Sequence, residues 1–184
     1  MKNITPRLLL GLCLVTLSAL ADSQRFTVLG RGVIFALAEP SGWKIDSESG
    51  KKDGAPVVYY PRGGSWEASS VVMYANSAIK KCQPSPALRS FIESEVREFK
   101  QRSPGVKISD VGSLDADGRK VILRKYEGDR FGNHELVAYI EEKTAIVSIT
   151  ISAKSAQEFK DSYPAFKELV TSYQHALDTD ACHK

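Results

Sequence analysis

The chain lacks an excess of charge of either sign. Over 184 residues, 25 Lys and Arg stand against 22 Asp and Glu, a net charge of +3. That is too little for an electrostatic footprint on a phosphate backbone, so no nucleic-acid partner is expected. Histidine is scarce: His134, His175 and His183 are the three in the chain. No two fall within four residues of each other, and none has a carboxylate nearby at metal-ligand spacing, so no metal is expected. G-x-S-x-G, H-E-x-x-H and P-loop patterns are absent, and with them the common catalytic signatures. No cofactor and no enzymatic activity are expected on these grounds. There is no internal repeat and no low-complexity stretch. The longest nearly unbroken apolar run, Leu8 to Leu20, falls short of the ~20 residues of a membrane span. Asp115-Ala116-Asp117-Gly118 resembles a fragment of a calcium loop. The position that needs a terminal Glu holds Tyr126, so a hairpin turn is expected there.

That apolar run does have a reading. Lys2 and Arg7 precede it, no acid does, and Ala19-Leu20-Ala21 follows it with small residues at the −3 and −1 positions. These are the three parts of a secretory leader, with cleavage expected near Ala21. Residues 1–21 are read as the leader and 22–184 as one domain, periplasmic or secreted. Cleavage removes Lys2 and Arg7 and no acid, leaving 163 residues with a net charge of +1. After position 21 no N-x-[ST] sequon remains, in keeping with a bacterial envelope protein.

Cleavage also removes Cys13 and leaves Cys82 and Cys182. An even count in an oxidising compartment implies a bridge between them, with two free thiols as the alternative. The loop it closes would be worth about 4–5 kcal/mol on the chain-entropy model.

What is present is hydrophobic patterning. A hydrophobic fraction of 42% with 26% charged residues describes a folded chain, not a disordered one. Short strands are expected at 26–29, 33–38, 43–45, 57–60 and 71–75. The polar stretch 46–55 between two of them is expected to be an exposed loop. Ser85-Pro86 opens a helix whose Leu88, Phe91, Ile92, Val96 and Phe99 share one face. Four strands follow at 106–111, 120–126, 134–141 and 144–153. In the last, Ala145, Val147, Ile149, Ile151 and Ala153 alternate with Ser148, Thr150 and Ser152, the pattern of a sheet with one face on a core. Ser155-x-x-Glu158 is a capping box. Phe159, Tyr163, Phe166, Val170, Tyr173 and Leu177 then keep helical spacing, so helix is expected to run to 177 and to carry His175. Pro164 is expected to divide or kink it. Helices and a mainly antiparallel sheet together give an α+β class.

Phe35-Ala-Leu-Ala-Glu-Pro40-Ser-Gly42-Trp43 resembles the opening "strand, Pro-x-Gly-Trp" of PsbP-like domains, among them the bacterial DcrB-type exported proteins. The closing strand 144–153 with Phe159, Phe166 and Ser172-Tyr173 is similar as well. The resemblance spans roughly residues 33–177. It implies an α/β/α sandwich around a central, mainly antiparallel sheet, and a role as an assembly or accessory module. It carries over no functional residue.

The expected function is therefore a monomeric, non-catalytic binding or accessory module, exported and contacting another envelope protein or a small ligand. A periplasmic immunity or inhibitor protein that neutralises a toxin or hydrolase is the alternative, and a hydrolase built from scattered side chains ranks below both. Candidate contact residues are Arg62 and Trp66, beside the flexible Gly63-Gly64 pair, and Arg130 and Phe131 in a second turn.

Overall fold

The computed structural model describes residues 25–80 and 88–179. The expected leader, Cys82, Cys182 and the Ser85-Pro86 helix start all lie outside the described residues. Among the described residues there are ten strands and two α-helices: β1 (Arg25–Leu29), β2 (Val33–Ala38), β3 (Trp43–Asp46), β4 (Val57–Pro61), β5 (Val71–Ile79), α1 (Leu88–Arg102), β6 (Lys107–Ala116), β7 (Arg119–Glu127), β8 (His134–Glu141), β9 (Ala145–Ala153), α2 (Ala156–Thr171) and β10 (Gln174–Asp178).

Seven strands form one antiparallel sheet in the order β3-β4-β5-β9-β8-β7-β6, and β1-β2-β10 form a second, smaller one. Turn chemistry sets the hairpins. Asp117 and Gly118 both have positive φ, 49° and 70°. An Asp-Gly pair in that conformation makes the tight β6–β7 reversal, whose twist matches the strands it joins. The expected hairpin turn is thus present, although β6 runs on through Leu114 to Ala116.

Successive residues of a strand point to opposite faces, so β8 and β9 assign the layers. Leu136, Ala138 and Ile140 pack with Val147, Ile149 and Ile151 against Phe166, Leu169 and Val170 of α2 and Phe35 and Leu37 of β2. Val137, Tyr139 and Ile146 pack instead with Ile92, Phe91 and Phe99 of α1. The large sheet is therefore covered on one face by α2 and the small sheet, and on the other by α1. This is an α+β fold, an α/β/α sandwich. Trp43 is buried in the α2-side core.

Three local expectations need correction. Helix does not run to Leu177: α2 stops at Thr171, and 174–178 form β10 along β2. The hydroxyls of Thr171 and Ser172 bond back to the carbonyls of Lys167 and Leu169, at 2.9 and 2.7 Å. Ser172 Oγ also accepts from Ala38 N at 2.9 Å, tying the helix end to β2, whose free edge then takes the next segment as a strand. Hydroxyl side chains compete with helix continuation in this way. Second, of the two outcomes expected at Pro164 the division does not occur: α2 is a single helix, continuous around it. Third, the stretch after β3 is not wholly exposed. Asp46 accepts from Glu48 N, Ser49 N, Ser49 Oγ and Tyr60 Oη at 2.7–3.0 Å, and Ala55 is buried against Val58 and Tyr60.

Candidate functional site

Cross-strand register builds the site. On the α1 face, Tyr74, Thr150 and Val137 are paired neighbours; so are Asn76, Ser148 and Tyr139, and likewise Ser152, Glu135 and Tyr126. The hydroxyls that alternate along β9 do not form an open polar face. They form the floor of a groove walled by α1. Glu95, Phe99 and Arg102 sit at i, i+4 and i+7 on that helix, a spacing that puts them on one side. Three hollows of about 230, 230 and 610 Å³ adjoin there. The first shares Tyr74, Phe99, Arg102 and Glu135 with the second, and Asn76, Glu95 and Ser148 with the third.

The groove's electrostatics are set by desolvation. Burial pushes the Glu95 carboxyl above its ordinary value, against a bond from Tyr139 that pulls it down. Burial raises Glu135 as well, aided by nearby Asp129 and opposed by Ser152 and Arg102. Tyr139 Oη donates to Glu95 Oε2 at 3.3 Å and lies 3.0 Å from Tyr126 Oη. Burial also raises the phenols of Tyr74, Tyr126 and Tyr139. Among the described residues neither Glu95 nor Glu135 forms an ion pair, and Arg102 lies over the Phe99 ring, 5.8 Å from its centroid. Two carboxylates without a direct ion pair, lined up with hydroxyl groups, suit a donor-rich ligand that carries a cation.

The sequence-derived contact residues are partly gathered at this groove. Trp66 meets the edge of Tyr74, with ring centroids 6.0 Å apart, and donates from its indole nitrogen to Asp53 Oδ2 at 2.7 Å. Arg130 and Phe131 line the groove's end beside Tyr74, and the Arg130 guanidinium stacks on the Phe131 ring at 4.6 Å. Phe131 is 71% exposed. Arg62 is set apart by its ion pair with Glu39. Sequence alone does not single out Glu95, Glu135 or Arg102. The polar alternation of β9 is their one visible signal.

A fourth hollow, about 380 Å³, lies on the α2 face between Val111, Leu136, Phe159 and Tyr163. Its Lys125 and His134 both turn to Glu127, at 2.7 and 3.6 Å, which leaves Lys160 as its one charge without an ion pair among the described residues. It is less equipped to orient a polar ligand than the groove. No helix of the described residues is long and apolar enough to cross a membrane.

No family model matches the chain, and no curated protein matches it. Solved structures do. A protein of unknown function from Pseudomonas aeruginosa, described as a putative regulator, is 14% identical over 84% of this chain and 99% of its own, with a TM-score of 0.48. A point mutant of the protein Mog1 is 15% identical over 85% of this chain and 98% of its own, with a TM-score of 0.47. The solution structure of cyanobacterial PsbP (CyanoP) from Synechocystis is 16% identical over 91% of this chain and 99% of its own, with a TM-score of 0.56. At that identity the likeness is one of architecture: this chain has a PsbP-like fold.

Proposed function

We propose that the protein is exported, loses its leader near Ala21 and serves in the periplasm as a non-catalytic accessory module. Its groove beneath α1 holds a segment of another envelope protein. The observation that carries this reading is the pair Glu95 and Glu135, desolvated and without an ion partner among the described residues. A Lys or Arg side chain of the partner segment supplies the missing charge. Ser148 and Thr150 offer hydrogen bonds to its backbone, and the exposed Phe131 with Arg130 gives an anchor at the groove's end. The accessory role that the sequence resemblance to PsbP-like domains implies agrees with this reading.

Crosslinking in intact cells, followed by affinity recovery and mass spectrometry, tests it. The expected result is one dominant partner, lost in a Glu95→Gln/Glu135→Gln double variant and kept in Arg62→Ala, which lies apart from the groove. A partner retained by the double variant overturns the groove assignment. Recovery of the uncleaved chain from the cytosol overturns the export reading. The Cys82–Cys182 bridge belongs to the same proposal: intact mass without reductant should show no alkylatable thiol.

A further inference from the structure

A second cluster lies away from the groove, where β10 meets the β8–β9 turn. Glu142 is 5% exposed there. Its Oε1 accepts from Tyr173 Oη at 2.6 Å and from Arg119 Nε at 2.6 Å. Both donors hold one oxygen of the carboxylate, and the other, Oε2, faces His175 Nε2 at 3.8 Å. Asp178 Oδ1 lies 3.5 Å from the same nitrogen and accepts from Thr144 Oγ1 at 2.9 Å. The backbone of His175 is held separately, by a bond from its N–H to Asp117 Oδ2 at 2.9 Å.

His175 Nε2 is the anomaly. It is buried and has no hydrogen-bond partner among the described residues. Buried polar nitrogens are normally satisfied, and each exception asks for an explanation. Both carboxylates stand at ion-pair distance from it, at 3.8 and 3.5 Å, without closing to a good hydrogen bond. One ligand atom from each of the three side chains lies within 4.8 Å of the others.

We propose that Glu142, His175 and Asp178 form a site for a divalent transition-metal ion such as Zn²⁺. A tetrahedral ion bound at about 2.0–2.1 Å holds its ligand atoms about 3.3–3.5 Å apart. The separations of 3.5 and 3.8 Å around His175 Nε2 close to that range with a small inward movement. Two carboxylates balance the ion's charge, and an imidazole with carboxylates is a donor set that Zn²⁺ accepts. The supporting shell is already built. Tyr173 and Arg119 orient Glu142, and Thr144 orients Asp178, as outer-shell donors do around metal carboxylates. The Arg119 charge is itself matched by Asp117, 2.7 Å away. His175 and Asp178 keep side-chain exposures of 22% and 27%, so the cluster lies close to the surface although the facing nitrogen is itself buried.

The test is titration of the metal-free full chain with Zn²⁺ by calorimetry, with Co²⁺ absorption as a probe of coordination. One equivalent of Zn²⁺, and the intense visible bands of four-coordinate Co²⁺, are expected. His175→Ala and Asp178→Asn should each weaken binding by about tenfold or more. A Cys82→Ser/Cys182→Ser variant should bind as the parent does. The ¹⁵N resonance of His175 Nε2 should move on Zn²⁺ addition, a readout that needs no variant to fold. No uptake of Zn²⁺, an unmoved His175 resonance, or binding that survives both substitutions and disappears with the cysteines would overturn the site.

Discussion

Tyr126 and Tyr139 place their hydroxyls 3.0 Å apart in the core beneath α1, and Tyr139 donates its own hydrogen bond to Glu95. The chain of donation has one direction. Because Tyr139 donates to Glu95, Tyr126 is the donor to Tyr139. Removing the middle hydroxyl by Tyr139→Phe strands Tyr126 without a partner, in a ring 2% exposed. That should cost about 1–3 kcal/mol. Tyr126→Phe leaves the Tyr139–Glu95 bond intact and should cost about 1 kcal/mol. Urea denaturation of both single variants and the double reads the order and the coupling. Equal effects would show that the relay is not directional.

The desolvated acids of the groove make stability depend on pH in a stated direction. Burial raises Glu95 and Glu135 above their ordinary value of 4.5. The folded state then keeps protons that the unfolded state has released. Their contribution is favourable at and below the unfolded value and is lost as pH rises through the folded values. Glu95→Gln and Glu135→Gln should therefore be more stable than the parent at pH 7 and converge with it below 4.5. Denaturation midpoints at the two pH values check this. Variants less stable than the parent at pH 7 would mean that the carboxylates are well solvated.

Asp46 works in the opposite sense. Backbone and hydroxyl bonds from Ser49, with Glu48 N and Tyr60 adding to them, hold its carboxyl well below the ordinary value of 3.8. The stability it contributes is present above that value and is lost as pH falls through the folded one. Asp46→Asn should remove part of the acid unfolding limb while lowering stability at pH 7. A charge-assisted bond is worth about 1.5–3 kcal/mol when buried, and this partly exposed site should fall at or below the low end. Acid titration followed by circular dichroism distinguishes the two effects.

Most of the fold could be read from the sequence because periodicity and turn residues agree over most of the chain. Val33–Ala38 and His134–Glu141 match their expected bounds, and Ser155 Oγ accepts from Glu158 N at 3.2 Å as a capping box should. The failures occur where tertiary partners outweigh local pattern. Tyr173 and Leu177 keep helical spacing after Phe166, but the open edge of β2 recruits 174–178 as a strand. Pro164 costs α2 a hydrogen bond, and packing of Phe166, Leu169 and Val170 on the sheet holds the helix through it. The site is less legible for the same reason. Glu95 is separated from Glu135 by 40 positions, and only sheet register and the placement of α1 bring them to one groove. Asp178 stands three positions after His175 in the sequence, but Glu142 arrives from a distant turn, and only the pairing of β10 with β2 brings the three together.

Arg119 gives the sharpest test of how the second cluster is held. It is the cation in contact with buried Glu142, through Nε at 2.6 Å, and it reaches Asp117 through Nη1 at 2.7 Å. Removing one member of a buried pair leaves an uncompensated charge, at a cost of about 3–5 kcal/mol. Arg119→Ala should approach the lower part of that range, since its side chain is 28% exposed and water can reach the vacated space. Arg119→Ala/Glu142→Gln should recover part of the loss, because the stranded charge goes with it. The Tyr173 hydroxyl keeps an acceptor in the amide oxygen that this second substitution introduces. Thermal denaturation of the two variants at pH 7 measures the difference. If the double variant is no more stable than Arg119→Ala, the arginine contributes by packing its stem and not by balancing Glu142.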